Sequence, residues 1–396
     1  MTQAVIVDIV RTASGRGKPG GALSGVHPAD LLATTIRSLL ERTGVDPATI
    51  DDVIAGCVGQ AGDQALNIAR TAALAAGLPE SVPGTTVDRQ CGSSQQAAHF
   101  AAQGVMAGAY DIAIACGVES MSRVPMGLAN AGGNAVAPLA LRYPDGLINQ
   151  GISAEIIAAR WKFDRTELDE YSARSHERAA RTQAEGGFDN EIIAVDVVGP
   201  DGVVGTHTVD QTIRDSTTVE ALSKLKSAYR DEAMSARFPE VDWVITPGNS
   251  SPLTDGASAA LIMSETKAKE LGLTPRARFH SFSVTGSDPL LMLTGVIPAT
   301  QKVLARSGLS IADIDTFEVN EAFAPVPLAW AREFSVDPAK LNPRGGAIAL
   351  GHPLGGSGLR LMATMLNQLE ATGGRYGLQT MCEGGGMANA TIIERI

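Results

Sequence analysis

Short apolar runs alternate with segments of helical periodicity in the first third of the chain, and the alternation returns in the last third. The first third predicts strands at Ala4–Val10, Val53–Val58, Thr85–Asp88 and Ile112–Gly117, and helices at His27–Thr43, at Gln64–Ala76 and from Gly92. The last third predicts strands at Arg276–Val284, Asp315–Val319 and, as the last, Leu378–Cys382, and helices at Val296–Ser307, Glu321–Phe334 and Gly358–Glu370. Near-continuous apolar strands between helices indicate a sheet buried on both faces, and therefore an α/β fold.

The two β-α-β-α-β halves share no obvious sequence identity, but their common order suggests a structural duplication. We expect an N-terminal domain over residues 1–270 and a C-terminal domain over residues 271–396, since domains usually span roughly 100–200 residues. Residues 119–248 interrupt the pattern, and we expect them to form a loop domain inserted into the first half. Within them a charged helix is predicted from Asp164 to about Ala184, and Asp164 and Glu167 form a capping-box pair at its start.

Composition excludes several classes of function. The formal net charge of −11 argues against a general surface for nucleic acid or anionic membrane. The four cysteines contain no CxxC pair, so we expect no disulfide scaffold, no zinc ribbon and no metal site. The N-terminus reaches Asp8 and Arg11 too early for a signal peptide, and the most apolar long stretch, residues 97–118, is too polar to span a bilayer. We expect a soluble, cytoplasmic protein.

Two nucleotide-binding signatures are absent from the sequence. Residues 15–21 read GRGKPGG, but Pro19 stands where a P-loop requires Ser or Thr, and Thr12 replaces its first glycine. No GxGxxG opens a helix after the first strand. Nucleotide hydrolysis and dinucleotide binding are therefore not expected.

Two residues are candidates for nucleophilic chemistry. Cys91 follows a predicted strand and begins a predicted helix, whose N-terminal partial charge and free N–H groups favour thiolate over thiol. A small buried packing residue is the alternative at this position. His352 lies in the glycine-rich segment NPRGGAIALGHPLGGSG, where the backbone can approach another group closely, and a core histidine is less expected there.

Cys382 and Asn320 also stand at predicted strand ends. Cys382 lies in TMCEGGGMANA, where the glycines after it leave backbone N–H groups open to an oxyanion, and a buried thiol beside a tight turn is the alternative. Asn320, in VNEAF, is equally compatible with a helix N-cap. In α/β folds the carboxyl ends of strands converge on the ligand crevice. Two thiols, an imidazole and an amide in that place predict an acyl-transfer site.

On these residues the chain resembles the thiolase family. Residues 342–358 match the family motif NxxGGxxAxGHPxGxSG at every fixed position, CEGGGMANA resembles its C-terminal cysteine motif, and NEAF resembles its third block. Around Cys91 the chain departs from the family, with Asp88 where Asn is frequent and Ser94 where Gly is usual. Asn149 and Gln150 replace the His-Met pair of short-chain members, which argues against specificity for acetoacetyl-CoA.

The resemblance implies a layered α/β/α/β/α core and a ping-pong acyl transfer. A 3-oxoacyl-CoA would be cleaved by CoA to acyl-CoA and acetyl-CoA, as in fatty-acid β-oxidation, or formed by the reverse Claisen condensation. Cys91 would carry the acyl group, His352 would accept its proton, and Cys382 would exchange protons with the acetyl-CoA enolate and the CoA thiol. One oxyanion hole would consist of His352 and a water held by Asn320, and the other of the N–H groups of Cys91 and Gly384.

The resemblance also implies the ligands and partners. CoA would be a co-substrate with no cofactor bound permanently, and the chain would assemble as a homodimer or homotetramer. Ser251, Ala322 and Phe323 match positions that line the pantetheine channel, and Met292 is also expected to contact the substrate. The candidates for the CoA phosphates are cationic residues of the insertion, for which a solvated charged face is the alternative: Arg214, Lys224, Lys226 and Arg230.

Three other functions are open at this point. A biosynthetic acetoacetyl-CoA thiolase is the nearest, although Glu383 in MCEGGG resembles degradative members more closely. A ketoacyl synthase-like condensing enzyme typically lacks a second active-site cysteine, so Cys382 argues against it. A non-catalytic acyl-CoA-binding protein is disfavoured because every expected reacting group is present.

Overall fold

The computed structural model describes residues 2–198 and 202–396. Its strands are β1 Ala4–Thr12, β2 Gly15–Arg16, β3 Asp52–Gly56, β4 Gly84–Val87, β5 Ile112–Ser120, β6 Ile192–Ile193, β7 Val195–Val198, β8 Val204–His207, β9 Thr254–Ser264, β10 Ala277–Gly286, β11 Thr316–Val319, β12 Tyr376–Glu383 and β13 Met387–Arg395. Its helices are α1 Pro28–Thr43, α2 Ile68–Ala75, α3 Ser93–Ala107, α4 Gln150–Trp161, α5 Arg165–Ala184, α6 Val219–Ser223, α7 Glu232–Arg237, α8 Glu265–Glu270, α9 Val296–Ser307, α10 Pro325–Phe334, α11 Ala347–Leu350 and α12 Ser357–Thr372. No helix among these residues is long and apolar enough to cross a membrane.

The main sheet is a duplication of one strand arrangement. The strands of the first half lie in the order β3-β5-β9-β1, and those of the second half in the order β11-β12-β13-β10. In each half the first pair is parallel and the next two pairs are antiparallel. The halves join where β1 pairs with β10, at Val5 with Arg278 and Ile6 with Ala277. The predicted duplication is therefore confirmed at the level of topology.

Helices form layers on both sides of each half. Helices α1 and α2 cover the outer face of the first half, and α9 and α10 cover the outer face of the second. Helices α3 and α12 pack against each other and share one apolar core with strands of both halves. They come so close that a Cβ on Gly358 would lie 2.2 Å from the backbone nitrogen of Gln95, so only glycine fits there. The predicted layered α/β/α/β/α fold is confirmed.

Most predicted elements are present, with shifted ends. Helix α9 has the predicted bounds, and the capping box of Asp164 and Glu167 opens α5 as expected. The prediction that Leu378–Cys382 is the last strand is wrong, because β13 follows it, and β9 is a further strand that the pattern does not predict. Strand β9 begins with small and polar residues, Thr254 to Ser258, and β13 carries Asn389 and Thr391 among its first residues, so neither reads as a continuous apolar run.

Two predicted helices begin later than the sequence suggests. The helix expected from Glu321 begins at Pro325, because the Glu321 carboxylate is buried as the acceptor for the hydroxyls of Tyr171 and Ser175. The helix expected from Gln64 begins at Ile68, because Asn67 caps it by accepting from the backbone N–H of Arg70. In both places a tertiary hydrogen bond or a cap outweighs helical periodicity.

Candidate active site

The loops at one edge of the sheet bring the four predicted catalytic side chains into the buried interior. Cys91 lies in the turn between β4 and α3, and His352 lies in the segment that leads into α12. Asn320 follows β11 directly, and Cys382 is the penultimate residue of β12. All four are buried, with at most 4% of the residue exposed. Parallel strands place their carboxyl ends on the same edge, and two pairs form there: His352 contacts Asn320, and Cys91 interacts with Cys382.

A tight turn fixes the backbone around Cys91. Gln90 has a φ of 49°, and its backbone N–H donates to the Asp88 carboxylate at 2.6 Å. The Ser93 hydroxyl accepts from the backbone N–H of Arg89 at 2.9 Å and donates to the carbonyl oxygen of Gln90 at 2.6 Å. The turn therefore holds the thiol at the start of α3 with little freedom.

Burial keeps Cys91 protonated at rest. Desolvation raises the pKa of the Cys91 thiol to about 12, and the nearby Glu383 carboxyl also raises it. The backbone N–H groups of Cys91 and Gly384 act in the opposite direction and lower the pKa. The expectation that the helix start favours the thiolate is thus outweighed by desolvation, and a base is needed to remove the proton.

The hydrogen bonds of His352 fit such a base. Its Nδ1 lies 2.6 Å from the Ser357 hydroxyl oxygen, and that hydroxyl donates to the carbonyl oxygen of Pro353 at 2.8 Å. Nδ1 is therefore the donor in its pair, and Nε2 keeps its lone pair. Burial and the charge of Arg360 lower the pKa of His352 to about 3, so the imidazole is neutral. The ring can accept a proton at Nε2.

Asn320 contacts the same nitrogen. Its amide Nδ2 lies 3.3 Å from His352 Nε2, while its Oδ1 is buried and has no hydrogen-bond partner in the part of the chain that the structure describes. Asn320 does not begin a helix, since α10 starts at Pro325, so the N-cap alternative does not apply. The amide is arranged to orient the imidazole and to offer an acceptor to a further group.

The end of β12 supplies the second thiol. Burial raises the pKa of Cys382 well above its ordinary value, and the charges of Cys91 and Glu383 raise it further, which places the two thiols in one electrostatic environment. Gly384 follows, and its N–H interacts with the Cys91 thiol. A neutral second thiol beside the first is suited to donate a proton.

A cavity of about 830 Å³ opens onto Cys91 and Gly384. Sequence reasoning anticipated Phe323 and Met292 in its wall and missed most of the others. Its apolar lining consists of Val58, Met121, Val124, Met126, Ile148, Met292, Phe323, Leu354 and Met387. Several of these lie in the irregular segment 121–149, where the sequence offers no periodicity to reveal them.

The other predicted CoA contacts lie outside the cavity wall. The backbone N–H of Ser251 donates to the carbonyl oxygen of Ala322 at 3.0 Å, so this pair lies beside Phe323 without reaching the cavity.

The four cationic candidates for the CoA phosphates are all exposed: Arg214, Lys224, Lys226 and Arg230. Lys224 forms an ion pair with Glu220, and Tyr229, which precedes Arg230, lines the cavity and contacts Phe323 edge-on. The Lys224–Arg230 segment therefore runs to the cavity.

Two residues that hold the site were missed by sequence reasoning. Ser357 fixes the tautomer of His352, and its place inside the glycine-rich motif is the signal that could have identified it. The Glu119 carboxylate accepts from the backbone N–H groups of Gly59 and Gly355, both at 2.9 Å, and so ties the His352 loop to the loop after β3. Across residues 2–198 and 202–396, no three His, Cys, Asp or Glu side chains are grouped so as to hold a metal ion.

Both halves of the chain match models of known protein families. Residues 4–266 match the family described as thiolase, N-terminal domain, and residues 273–395 match thiolase, C-terminal domain. The chain is 51% identical to the steroid 3-ketoacyl-CoA thiolase of Mycobacterium tuberculosis, over 100% of this chain and 95% of that protein. It is 46% identical to the 3-ketoacyl-CoA thiolase of Erwinia tasmaniensis over the full length of both. The crystal structure of the Bacillus anthracis acetyl-CoA acetyltransferase superposes with a TM-score of 0.90 at 36% identity, covering 100% of this chain and 99% of that one.

Proposed function

The chain belongs to the thiolase family, and we propose that Cys91, His352, Cys382 and Asn320 carry out its acyl transfer. As a thiolase it is an acyltransferase that cleaves 3-oxoacyl-CoA with CoA into acyl-CoA and acetyl-CoA, and that catalyses the reverse condensation. The observation that carries the assignment of roles is the position of the Cys91 thiol. It lies in the wall of the cavity, under the N–H of Gly384 and beside a second neutral thiol.

In the first half-reaction Cys91 becomes acylated. His352 Nε2 takes the thiol proton, and the thiolate sulfur attacks the 3-keto carbon of the substrate. The bond between C2 and C3 breaks, its electron pair remains on the acetyl-CoA enolate, and Cys382 donates its proton to that carbon. Positioned acids and bases of this kind contribute about 10²–10⁴-fold each.

In the second half-reaction the acyl group leaves Cys91. The Cys382 thiolate takes the proton of an incoming CoA thiol, and the CoA sulfur attacks the thioester carbon. Cys91 departs as a thiolate and regains the proton held by His352. Every group returns to its starting state, so the cycle balances.

Two sets of donors would stabilise the oxyanions. The N–H groups of Cys91 and Gly384, which interact with the resting thiol, would face the thioester oxygen of the acylated enzyme. His352 and a water bound to the buried Oδ1 of Asn320 would serve the other oxygen. Each preorganised donor is worth about 3–4 kcal/mol at the transition state.

The cavity supports a bulky apolar acyl group as the substrate. Its volume of about 830 Å³ falls in the range of about 300–1,000 Å³ that buries a drug-sized molecule, which leaves room beside the pantetheine arm for an acyl group larger than acetyl. Four methionines line it, Met121, Met126, Met292 and Met387, and methionine adapts to irregular shapes. The name of the Mycobacterium tuberculosis relative, which includes a steroid substrate, points in the same direction. We therefore favour long-chain or ring-bearing 3-oxoacyl-CoA over acetoacetyl-CoA.

Intact-mass spectrometry after incubation with 3-oxoacyl-CoAs, without free CoA, tests both proposals. We expect an adduct on Cys91 with the mass of the acyl chain less two carbons, formed fastest with long or ring-bearing substrates. Cys91→Ala should remove the adduct, whereas Cys116→Ala, which alters a buried thiol in β5, should retain it. Labelling of another residue would refute the role of Cys91, and fastest labelling by acetoacetyl-CoA would refute the substrate class.

Cys382 has a test of its own. Cys382→Ala should still be acylated by a simple acyl-CoA, which needs no enolate proton, but should lose turnover of 3-oxoacyl-CoA. Loss of both reactions in folded protein, or loss of neither, would contradict its role.

The last part of the proposal concerns the assembly of the chain and its requirement for a cofactor. We propose that CoA is a co-substrate and that no cofactor is bound permanently, since each proton and acyl transfer above runs through a side chain or the CoA thiol. From its membership of the thiolase family we also propose that the chain assembles as a homodimer or homotetramer. Light scattering should give a multiple of the 41.0 kDa chain mass, and activity should survive a metal chelator. A monomer, or loss of activity on chelation, would refute the respective part.

A further inference from the structure

Glu383 is a buried acid that the proposed mechanism does not use. It ends β12 between Cys382 and Gly384, and none of the residue is exposed. Neither of its carboxyl oxygens has a hydrogen-bond partner within residues 2–198 and 202–396. An ionised carboxylate without a partner is one of the most costly groups to bury, so this side chain is expected to be neutral.

The side chain points at the peptide that follows Cys91. A Cβ on Gly92 would lie 2.1 Å from Glu383 Oε1, 2.7 Å from Asn389 Nδ2 and 2.9 Å from Asn389 Oδ1, so the carboxyl and the amide both lie against the backbone of Gly92. Asn389 Nδ2 donates to the carbonyl oxygen of Gly92 at 3.0 Å, while its Oδ1 has no acceptor role among the described residues. A proton on the Glu383 carboxyl would offer a donor to that oxygen.

The groups around Glu383 come from three elements, and the two charged ones, Asp88 and Arg89, lie in the turn before α3. Burial raises the pKa of Glu383 to about 9, Arg89 in the turn before α3 lowers it, and Asp88 in the same turn raises it further. On β12 itself Cys382 is its neighbour, and on β13 its register partner is Met387, while the neutral Asn389 lies two residues further along, opposite Met381. Glu383 is the first charge that acts on Cys91, and Glu119 acts on that thiol more weakly.

From this geometry we propose that Glu383 is a positioning residue that keeps Cys91 reactive only while it is a neutral acid. As the acid it donates to Asn389, which in turn holds the carbonyl of Gly92 beside the nucleophile. As the carboxylate it places a second acceptor opposite the Asn389 oxygen, so no hydrogen bond forms between them. Its negative charge also disfavours the thiolate form of the Cys91 side chain. Both effects lower the reactivity of the Cys91 thiol at alkaline pH.

The inference rests on Cys91 as the nucleophile, but its test does not require turnover. Alkylation by iodoacetamide, mapped to Cys91 by peptide mass spectrometry, follows the thiolate fraction directly. In Glu383→Gln the amide remains neutral and can still donate to Asn389. We expect the ratio of the alkylation rate at pH 10 to that at pH 7 to be at least about fivefold larger in this variant than in the wild type, because a removed like charge lowers a thiol pKa. Equal ratios would overturn the proposal.

Two further variants guard against a merely structural effect. Asp88→Asn retains the acceptor for the N–H of Gln90 but removes a charge that raises the pKa of Glu383. Glu383 should therefore ionise at lower pH, and the reactivity of Cys91 should begin to be suppressed at lower pH. Glu155→Gln removes another buried carboxyl with a raised pKa, one that is not among the charges that act on the Cys91 thiol, and should leave the ratio at the wild-type value. A changed ratio in Glu155→Gln, or suppression beginning at higher pH in Asp88→Asn, would also refute it. If wild-type Cys91 alkylates as described but no substrate acylates it, the proposed function fails and this inference stands.

Discussion

Removal of the Ser357 hydroxyl tests the link between the His352 tautomer and acyl transfer. Ser357 accepts from His352 Nδ1 at 2.6 Å and donates to the carbonyl oxygen of Pro353 at 2.8 Å, and the serine is fully buried. In Ser357→Ala the N–H at Nδ1 loses its acceptor. The other tautomer offers no relief, because a proton on Nε2 would face the Asn320 amide nitrogen at 3.3 Å.

The magnitude follows from the orphaned donor. A buried donor without a partner costs about 1–3 kcal/mol. Expressed at the transition state of acylation, this cost corresponds to a loss of about fivefold to 150-fold in kcat/KM. Since Ser357 does not line the cavity, we expect the loss in the rate of Cys91 acylation and not in the dissociation of substrate.

Rapid-quench mass spectrometry of the Cys91 adduct measures that rate directly. Ser258→Ala is the matched control, because its hydroxyl is equally buried and donates to the carbonyl oxygen of Gly356 at 2.6 Å, on the same loop but away from the imidazole. We expect this control to acylate at close to the wild-type rate, because the hydrogen bond that it loses does not involve the imidazole. Equal rates in the two variants would refute the reasoning that Ser357 sets the tautomer.

Two further predictions concern packing and pH. Gly355→Ala should abolish activity or folding, because its Cβ would lie 2.4 Å from the carbonyl oxygen of Val118, whereas Gly205→Ala, with open space around it, should behave as wild type in activity and melting assays. Burial lowers the pKa of His99 to about 3, below its value in the unfolded chain. Because the unfolded chain binds this proton first, the free energy of unfolding falls by about 1.4 kcal/mol per pH unit as the pH drops below about 6.5. Urea unfolding between pH 6.5 and pH 4 should show a shallower loss in His99→Gln, and an unchanged slope would contradict a neutral buried His99.

The fold and the family could be predicted from the sequence because their signals are local. Apolar strands and helical periodicity identify the α/β duplication, and the motifs around His352 and Cys382 lie within short segments. Strand β9 was not predicted because its first residues, Thr254 to Ser258, are small or polar. Their size is required by the loop that packs on them: a Cβ on Gly256 would lie 3.1 Å from Pro353.

The electrostatics of the site could not be predicted in the same way. A cysteine at a helix start is expected to have a lowered pKa, yet the pKa of Cys91 is raised. The causes are burial and Glu383, which lies at the end of a strand in the other half of the chain. Desolvation depends on everything that surrounds a group, so the sequence near Cys91 carries no information about it.

The duplication explains how a site built from loops can be rigid. Helices α3 and α12 each begin with a buried serine, and each serine binds the turn that precedes its helix. Ser93 closes the turn that carries Cys91, through Arg89 and Gln90. Ser357 closes the turn that carries His352, through Pro353. Because both helices are anchored in the shared central core, the nucleophile and its base are fixed relative to each other by the same packing that joins the two halves.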